Sequence, residues 1–181
     1  MTEAPELSRY EKKFAKTDKT DAILVVQGKK FHVNKTFLSI HSDYFDKLFN
    51  SEFKEETMEE IEIKDVDFEN FATVLSFVYP NPLKPTDASA EKLLELADRF
   101  LLSCAKCHLE LFLMTTMNIT RLEKLRIADK YKLDDLSVHA LMLYTSHTDF
   151  NRIRTYKTFT ELSDNCKVKI LNRMMDLLNF Y

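Results

Sequence analysis

The chain has 181 residues, and its 26 lysines and arginines nearly balance its 29 aspartates and glutamates, which gives a net charge of −3. Hydrophobic residues make up 45% and charged residues 30%, a composition typical of a globular protein rather than a disordered chain. Its single glycine, Gly28, excludes phosphate-binding loops, dinucleotide fingerprints and strained nucleophile elbows, which need more than one glycine. Most nucleotide-dependent chemistry is therefore disfavoured.

The cysteine count and the apolar runs indicate the compartment. Three cysteines, an odd number, provide no disulfide framework, and free thiols are typical of a reducing environment. The first residues lack the pattern of a signal peptide, and no apolar run is long enough to span a bilayer. A slightly acidic chain is also a poor ligand for nucleic acid. We therefore expect an intracellular protein, cytoplasmic or nuclear, with neither a membrane nor a nucleic-acid partner.

The first third of the chain mixes helical and strand signals. Residues 1–18 are polar, but the apolar side chains within them have the spacing of one short amphipathic helix. Residues 22–26 and 31–33 predict a β-hairpin, in which Gly28 supplies the positive φ of a tight turn. Helical spacing follows over residues 35–50. The apolar residues of the first helix are Leu7, Tyr10 and Phe14.

Further along, Ser42 is a good helix N-cap, and residues 50–60 read as an acidic loop. The alternation over residues 60–63 predicts a strand with its isoleucines buried. Asp67 caps the next helix, which the prolines after Tyr79 end because proline cannot continue a helix.

One long helix is predicted to start near residues 86–89, and from about residue 120 the pattern indicates three or four helices and no strand. Residues 94–102 also resemble residues 125–133 at an offset of 31, which predicts two helices that pack in a similar way. The fold class is therefore α+β, a small sheet with surrounding helices, followed by an all-α extension. The predicted apolar stripe of the long helix is Leu93, Leu96, Ala97, Phe100, Leu101, Cys104, Cys107 and Leu111.

Two motifs suggest chemistry at first sight. Residues 104–108 match C-x-x-C-H, the haem-attachment signature, and the same side chains on one helix face suggest zinc, with Cys166 or His139 as a fourth ligand. The ordinary alternative is two core thiols and a partnered histidine. The run at residues 41–43 contains His, Ser and Asp, but consecutive side chains point in different directions and do not form a triad. We expect no enzyme, no catalytic residue, no cofactor and no metal.

The segment DAILVVQGKKFHVNKTFLSIHSDYFDKLF at residues 21–49 resembles the opening of a BTB (POZ) domain. The alternating strand at residues 61–63 and the helical patterns at 67–79 and 93–100 fit later landmarks of the family. The resemblance covers about residues 19–115. The remainder is similar to the short BACK-like extension of MATH-BTB adaptors. We expect a segment at 1–18 with a short helix, a BTB/POZ domain at 19–115 and a helical extension at 116–181.

The resemblance implies a homodimer and a cullin-3 partner. The charged pair of the family's dimer groove corresponds to Asp21 and Lys35, and this sequence departs from the pattern at Asn34, where the family usually has histidine. A hydrophobic-x-Glu motif that recruits cullin-3 corresponds to Phe53, Lys54 and Glu55. The rest of the implied dimer surface is Phe37, Leu38 and His41, with Leu7, Tyr10 and Phe14 as an added helix.

The function implied by the resemblance is a protein–protein interaction scaffold. In the first reading, a homodimeric adaptor links substrate proteins to a cullin-3 ubiquitin ligase, which supplies the chemistry of ubiquitination. In the alternative reading, the chain is an oligomerisation module that pairs with itself or with other BTB proteins and does not bind a cullin. No MATH, Kelch or zinc-finger pattern is present in the sequence, so substrate would be recruited through the extension or through a partner.

Overall fold

The computed structural model describes residues 7–50, 60–151 and 153–178 of the chain. The chain divides into two compact units, Met1–His108 and Leu109–Tyr181, and each is described by itself. The elements of the first unit are α1 (Arg9–Lys13), β1 (Ala22–Val26), β2 (Lys29–Val33), α2 (Lys35–His41), α3 (Asp43–Asn50), β3 (Glu60–Glu62), α4 (Phe68–Ser76), α5 (Ala90–Arg99) and the start of α6 (Ser103–Thr115).

The predicted hairpin and third strand are confirmed and form one sheet in the order β2-β1-β3. Strand β1 is antiparallel to β2 and parallel to β3, and Leu24 is aligned with both Phe31 and Ile61. These three side chains are buried, as period-two alternation requires when one face of the sheet packs on a core. The turn places Gln27 and Gly28 at φ 50° and 75°, the backbone of a two-residue hairpin.

Local capping explains where the helices begin. The predicted helix over residues 35–50 is two helices, α2 and α3, separated by Ser42. The Ser42 hydroxyl accepts a hydrogen bond from the amide of Phe45 at 3.2 Å, so its role as an N-cap is confirmed. Asp67 caps α4 in the same way, through the amide of Asn70 at 2.9 Å. Each cap pairs an amide that the first turn of a helix leaves without an intrahelical partner.

The single long helix predicted from residue 86–89 onward is wrong. Helix α5 ends at Arg99 and α6 starts at Ser103, because Leu101 adopts a left-handed φ of 50°. The amide of Leu102 then donates to the carbonyl of Ala97 at 2.8 Å, which closes the end of α5. A hydrogen bond from the Ser42 hydroxyl to the carbonyl of Phe100, at 2.6 Å, holds the same turn.

The break at Leu101 also corrects the predicted apolar stripe. Past the break, the helix turns a different face inward, and the predicted members Leu101 and Leu111 are 54% and 63% exposed. Cys107 is exposed as well and Cys104 is half-buried, so the interpretation of both as core thiols is wrong. The face that is buried consists of Leu102, Ala105, Leu109 and Leu113.

The second unit is helical, as predicted. Its core contains Tyr144 stacked on Phe150 with ring centroids 4.7 Å apart, and the guanidinium of Arg121 lies 4.2 Å from the centre of the Tyr144 ring. Arg121 also pairs with the carboxylate of Asp149 at 3.1 Å. Its further elements are α7 (Arg121–Tyr131), α8 (Asp134–Met142), short 3-10 helices at His147–Phe150 and Ile153–Thr155, α9 (Lys157–Thr160) and α10 (Asp164–Leu178).

The internal similarity at an offset of 31 corresponds to two helix ends with the same backbone geometry. Lys132 has a left-handed φ of 57°, and the amide of Leu133 donates to the carbonyl of Ala128 at 2.9 Å. These positions are 31 residues after Leu101 and Leu102, and both following leucines are buried. The repeated pattern therefore encodes a helix, a left-handed residue and a buried leucine.

Lys132 has the left-handed backbone conformation, and its side chain is 79% exposed. A substitution at this position therefore changes the backbone preference and removes few side-chain contacts. Lys132→Gly should raise the free energy of unfolding by about 1 kcal/mol, because glycine has no Cβ to strain a positive φ. Lys130→Gly, inside α7, should instead lower it by about 1 kcal/mol. Urea denaturation of both variants measures the difference, and equal destabilisation would contradict the left-handed helix end.

Candidate functional site

The start of α2 is fixed to the hairpin by Asn34. Its side-chain oxygen accepts a hydrogen bond from the amide of Phe37 at 2.7 Å, which caps the helix. Its amide nitrogen donates to the carbonyl of Lys19 at 2.9 Å. Asn34 thus joins α2 to the segment that precedes β1. The BTB pattern usually has histidine at this position.

Asp21 lies beside Asn34 but pairs with backbone rather than with a cation. Its Oδ1 atom accepts from the amide of Lys35 at 2.7 Å, and its own amide donates to the carbonyl of Val33 at 3.0 Å. Within the described ranges, the carboxylate of Asp21 makes no ion pair with the ammonium group of Lys35, and both residues are exposed. The two members of the expected charged pair are therefore adjacent at one surface.

A cleft of about 710 Å³ opens at this surface. At its wall the ring of Tyr79 packs against Phe37, with centroids 5.1 Å apart, and edge-on against Phe14, at 5.8 Å. Burial raises the pKa of Tyr79 to about 12, so its hydroxyl stays neutral at physiological pH. The cleft is lined by Asp18, Lys19, Thr20, Asp21, Asn34, Phe37, Tyr79 and Pro80.

Helix α2 turns an apolar side outward next to the cleft. Ile40 is 74% exposed, and it lies one turn from Phe37. Phe37 is half-buried, and its ring centroid lies 4.9 Å from that of His41. Leu38, in contrast, is fully buried, so it packs the inner side of α2 into the core. Sequence periodicity did not identify Ile40 as a surface residue. The signal that identifies it is its position three residues after Phe37, on the side of the helix opposite Leu38.

Helix α1 packs on the first unit of its own chain. The ring of Tyr10 lies 6.1 Å from that of Phe68, and Phe14 is buried against Phe31 at 5.1 Å. The carbonyl of Phe14 also accepts from the amide of His32 at 3.0 Å, which covers part of the β2 edge. Of the three apolar residues proposed for an added dimer helix, Leu7 has the most accessible side chain, at 53% exposed.

The expected cullin-binding residues Phe53, Lys54 and Glu55 lie outside the described residues.

The residues that suggested chemistry are not assembled into a site. Ser42 is buried and serves as a helix cap, and His108 stacks on Phe77 with its Nδ1 atom 2.9 Å from the carbonyl of Cys104. In the described part of the chain, no group of three or more His, Cys, Asp and Glu side chains is placed to hold a metal ion. Burial raises the pKa of the Cys166 thiol to about 11, which keeps it protonated and unreactive at neutral pH.

The small three-stranded sheet and the helices around it agree with one family. A profile of the BTB/POZ domain matches residues 10–117, and the chain belongs to this family of protein-interaction modules.

Two relatives come from Caenorhabditis elegans. BTB/POZ domain-containing protein Y57A10B.3 is 36% identical over 97% of this chain and 55% of its own length. BTB and MATH domain-containing protein 36 is 31% identical over 88% of this chain and 50% of its own length. The chain thus spans about half the length of the curated relatives it matches. The BTB domain of human gigaxonin aligns with a TM-score of 0.46 and 18% identity, covering 62% of this chain and 99% of that domain.

Among the helices of the described ranges, none combines the length and the apolar character that crossing a membrane requires.

The double role of Asn34 gives a stability prediction. Asn34→Ala removes the cap of α2 and the bond to Lys19, and it should lower the free energy of unfolding by about 1 kcal/mol or more. Asn34→Asp keeps the capping oxygen and should cost less than the alanine variant. Urea denaturation compares the two, and an alanine variant as stable as the native chain would refute the assigned role.

Proposed function

We propose that the chain is a homodimeric BTB scaffold that links substrate proteins to a cullin-3 ubiquitin ligase and has no catalytic activity of its own. The observation that carries the dimer is the exposed apolar side of α2, where Ile40 is 74% exposed and Phe37 lines the cleft beside Asp21. In an isologous dimer the same surface of the two copies meets, so the exposed apolar side chains of both copies would be covered by one contact. In this dimer Lys35 and His41 flank the apolar contact, while the buried Leu38 and Phe14 support it from within each copy.

The cullin-3 assignment rests on sequence and family. Phe53, Lys54 and Glu55 follow the hydrophobic-x-Glu pattern at the position expected for a BTB domain. An aromatic anchor with polar neighbours is typical of residues that dominate a binding energy. Relatives named for both a BTB and a MATH domain support a role in protein interaction. The proposed division into a BTB domain at 19–115 and a helical extension at 116–181 would leave the extension free to assist docking or substrate recruitment.

The dimer surface is tested by placing a charge on its most exposed apolar residue. Ile40→Asp should shift the chain in dilute solution from a dimer to a monomer, because a carboxylate would be buried without a partner. The matched control is Leu111→Asp on α6, an exposed leucine outside the proposed surface, which should leave the dimer intact. Light scattering measures the mass of both. A dimer that survives Ile40→Asp would contradict the α2 surface.

The cullin contact is tested separately. Phe53→Ala should weaken binding to the N-terminal domain of cullin-3 by about 1–3 kcal/mol, the range of a hot-spot residue. Lys54→Ala, at the unspecified position of the motif, is the control and should change the affinity little. Isothermal titration calorimetry measures both.

The two experiments separate the two candidate functions. A dimer that binds cullin-3 with unchanged affinity after Phe53→Ala would refute the motif assignment. A dimer that does not bind cullin-3 at all would favour the alternative, a module that pairs with itself or with other BTB proteins.

A further inference from the structure

The start of α6 carries two thiols that the proposed scaffold does not use. Cys107 is exposed and Cys104 is half-buried. Cysteine is among the residue types that proteins bury most often, because its thiol behaves as a small apolar group. Two accessible cysteines three residues apart are therefore not explained by packing, and their chemistry has to be considered.

The helical spacing makes the two cysteines neighbours. Side chains three residues apart on an α-helix lie on one face, with Cβ atoms about 5–6 Å apart. A disulfide joins Cβ atoms about 3.5–4.5 Å apart, so the two sulfurs can bond after an approach of about 1–2 Å. Burial raises the pKa of the Cys104 thiol, and charge on the Cys107 sulfur raises it further, which agrees with the short separation.

This approach falls in the part of α6 that its own hydrogen bonds restrain least. Cys104 and Ala105 lie in the first turn, where the backbone amides have no intrahelical partner. The hydrogen bond from the amide of Lys106 to the carbonyl of Leu102 is 3.2 Å long. The first turn can therefore tighten while the rest of the helix keeps its hydrogen bonds.

The side chains next to the two cysteines are bound elsewhere. The ammonium group of Lys106 pairs with the carboxylate of Asp98 at 2.5 Å. The ring of His108 stacks on Phe77 with centroids 5.3 Å apart, and its Nδ1 atom lies 2.9 Å from the carbonyl of Cys104. Among the described residues no set of three ligands for a metal ion forms here, whereas a disulfide needs only the two sulfurs.

We propose that Cys104 and Cys107 form a reversible disulfide within α6, with glutathione disulfide as the oxidant. The thiolate of the exposed Cys107 attacks one sulfur of glutathione disulfide, and a glutathione thiolate leaves. The thiolate of Cys104 then attacks the Cys107 sulfur, and the second glutathione thiolate leaves. The two cysteines lose two electrons and two protons, which glutathione disulfide gains as it becomes two molecules of glutathione.

The helical geometry makes this disulfide easy to reduce. Because the Cβ atoms of the undisturbed helix are too far apart for a disulfide, closing the bond strains the first turn of α6. Strained and exposed disulfides have more oxidising potentials than structural disulfides, so reduced glutathione opens them again. The pair is therefore suited to report a change in the thiol pool and not to hold the fold together.

The strain falls next to the turn that ends α5. Leu101 is held in its left-handed conformation there, and the amide of Leu102 donates to the carbonyl of Ala97 at 2.8 Å. Helix α6 begins at the next residue, Ser103. Tightening its first turn pulls on this connection, so the oxidised chain should unfold at a lower temperature than the reduced chain.

The test measures the mass and the free thiols of the full chain in buffers with an increasing ratio of glutathione disulfide to glutathione. The native chain should lose the mass of two hydrogen atoms and two of its three free thiols. It should run as a single chain on a non-reducing gel, and reduced glutathione should restore both thiols. The buried Cys166 should stay free throughout.

Two single variants separate the steps. Cys104→Ser keeps the exposed thiol and removes the one that resolves the mixed disulfide, so it should accumulate one glutathione on Cys107. Cys107→Ser leaves only the half-buried thiol and should take up glutathione about 10-fold more slowly. The matched control is the double serine variant, which should keep its mass. Circular dichroism confirms that each variant is folded.

Three results would overturn the proposal. They are a native chain that keeps its three free thiols, a native chain that stops as a mixed disulfide with glutathione, and a disulfide that joins two chains. A disulfide that reduced glutathione cannot open would refute its reversibility. None of these readings depends on the α2 dimer or on cullin-3, so the experiment decides the question whether or not the proposed function is correct.

Discussion

The arrangement of the first unit depends on one buried turn, where the Ser42 hydroxyl donates to the carbonyl of Phe100 at 2.6 Å. The same hydroxyl caps α3, so a single side chain joins the α2–α3 corner to the end of α5. The ring of Phe100 completes the junction, since it contacts Phe45 at 5.8 Å and Phe71 at 5.2 Å. Because this junction fixes the orientation of α2, it also determines which side of α2 faces outward.

The sequence predicted the elements whose signals are local. The hairpin with Gly28 at its turn and the helices capped by Ser42 and Asp67 need only neighbouring residues to form, and each is present. The long helix was wrong because leucine rarely adopts a positive φ, so nothing local marks Leu101 as a helix end. The break is stabilised by groups distant in sequence, among them Ser42, which periodicity does not report.

The candidate site was only partly accessible to sequence reasoning. The resemblance pointed to Asp21 and Lys35, but the contact between them runs through the backbone amide of Lys35, which a residue pattern cannot specify. Periodicity treats every apolar residue of a helix alike, so it did not separate the buried Leu38 from the exposed Ile40. Exposure of an apolar side chain is a property of the packed fold, and it appears only when the neighbouring elements are in place.

A general physical argument supports the proposed α2 surface. Burying an apolar side chain removes it from water, so a folded chain that keeps aligned apolar residues outside has them available for a partner. On α2 the exposed apolar residue is Ile40, one turn from the half-buried Phe37. A surface of this kind is consistent with a scaffold that acts through protein contacts.

The mass of the native chain in dilute solution tests the central claim most directly, because the proposed scaffold depends on a dimer formed through α2. Light scattering should give twice the 21.3 kDa of a single chain. Addition of the cullin-3 N-terminal domain should then produce a complex of two chains and two domains. A protein with the mass of one chain would contradict the BTB dimer on which the proposed scaffold depends.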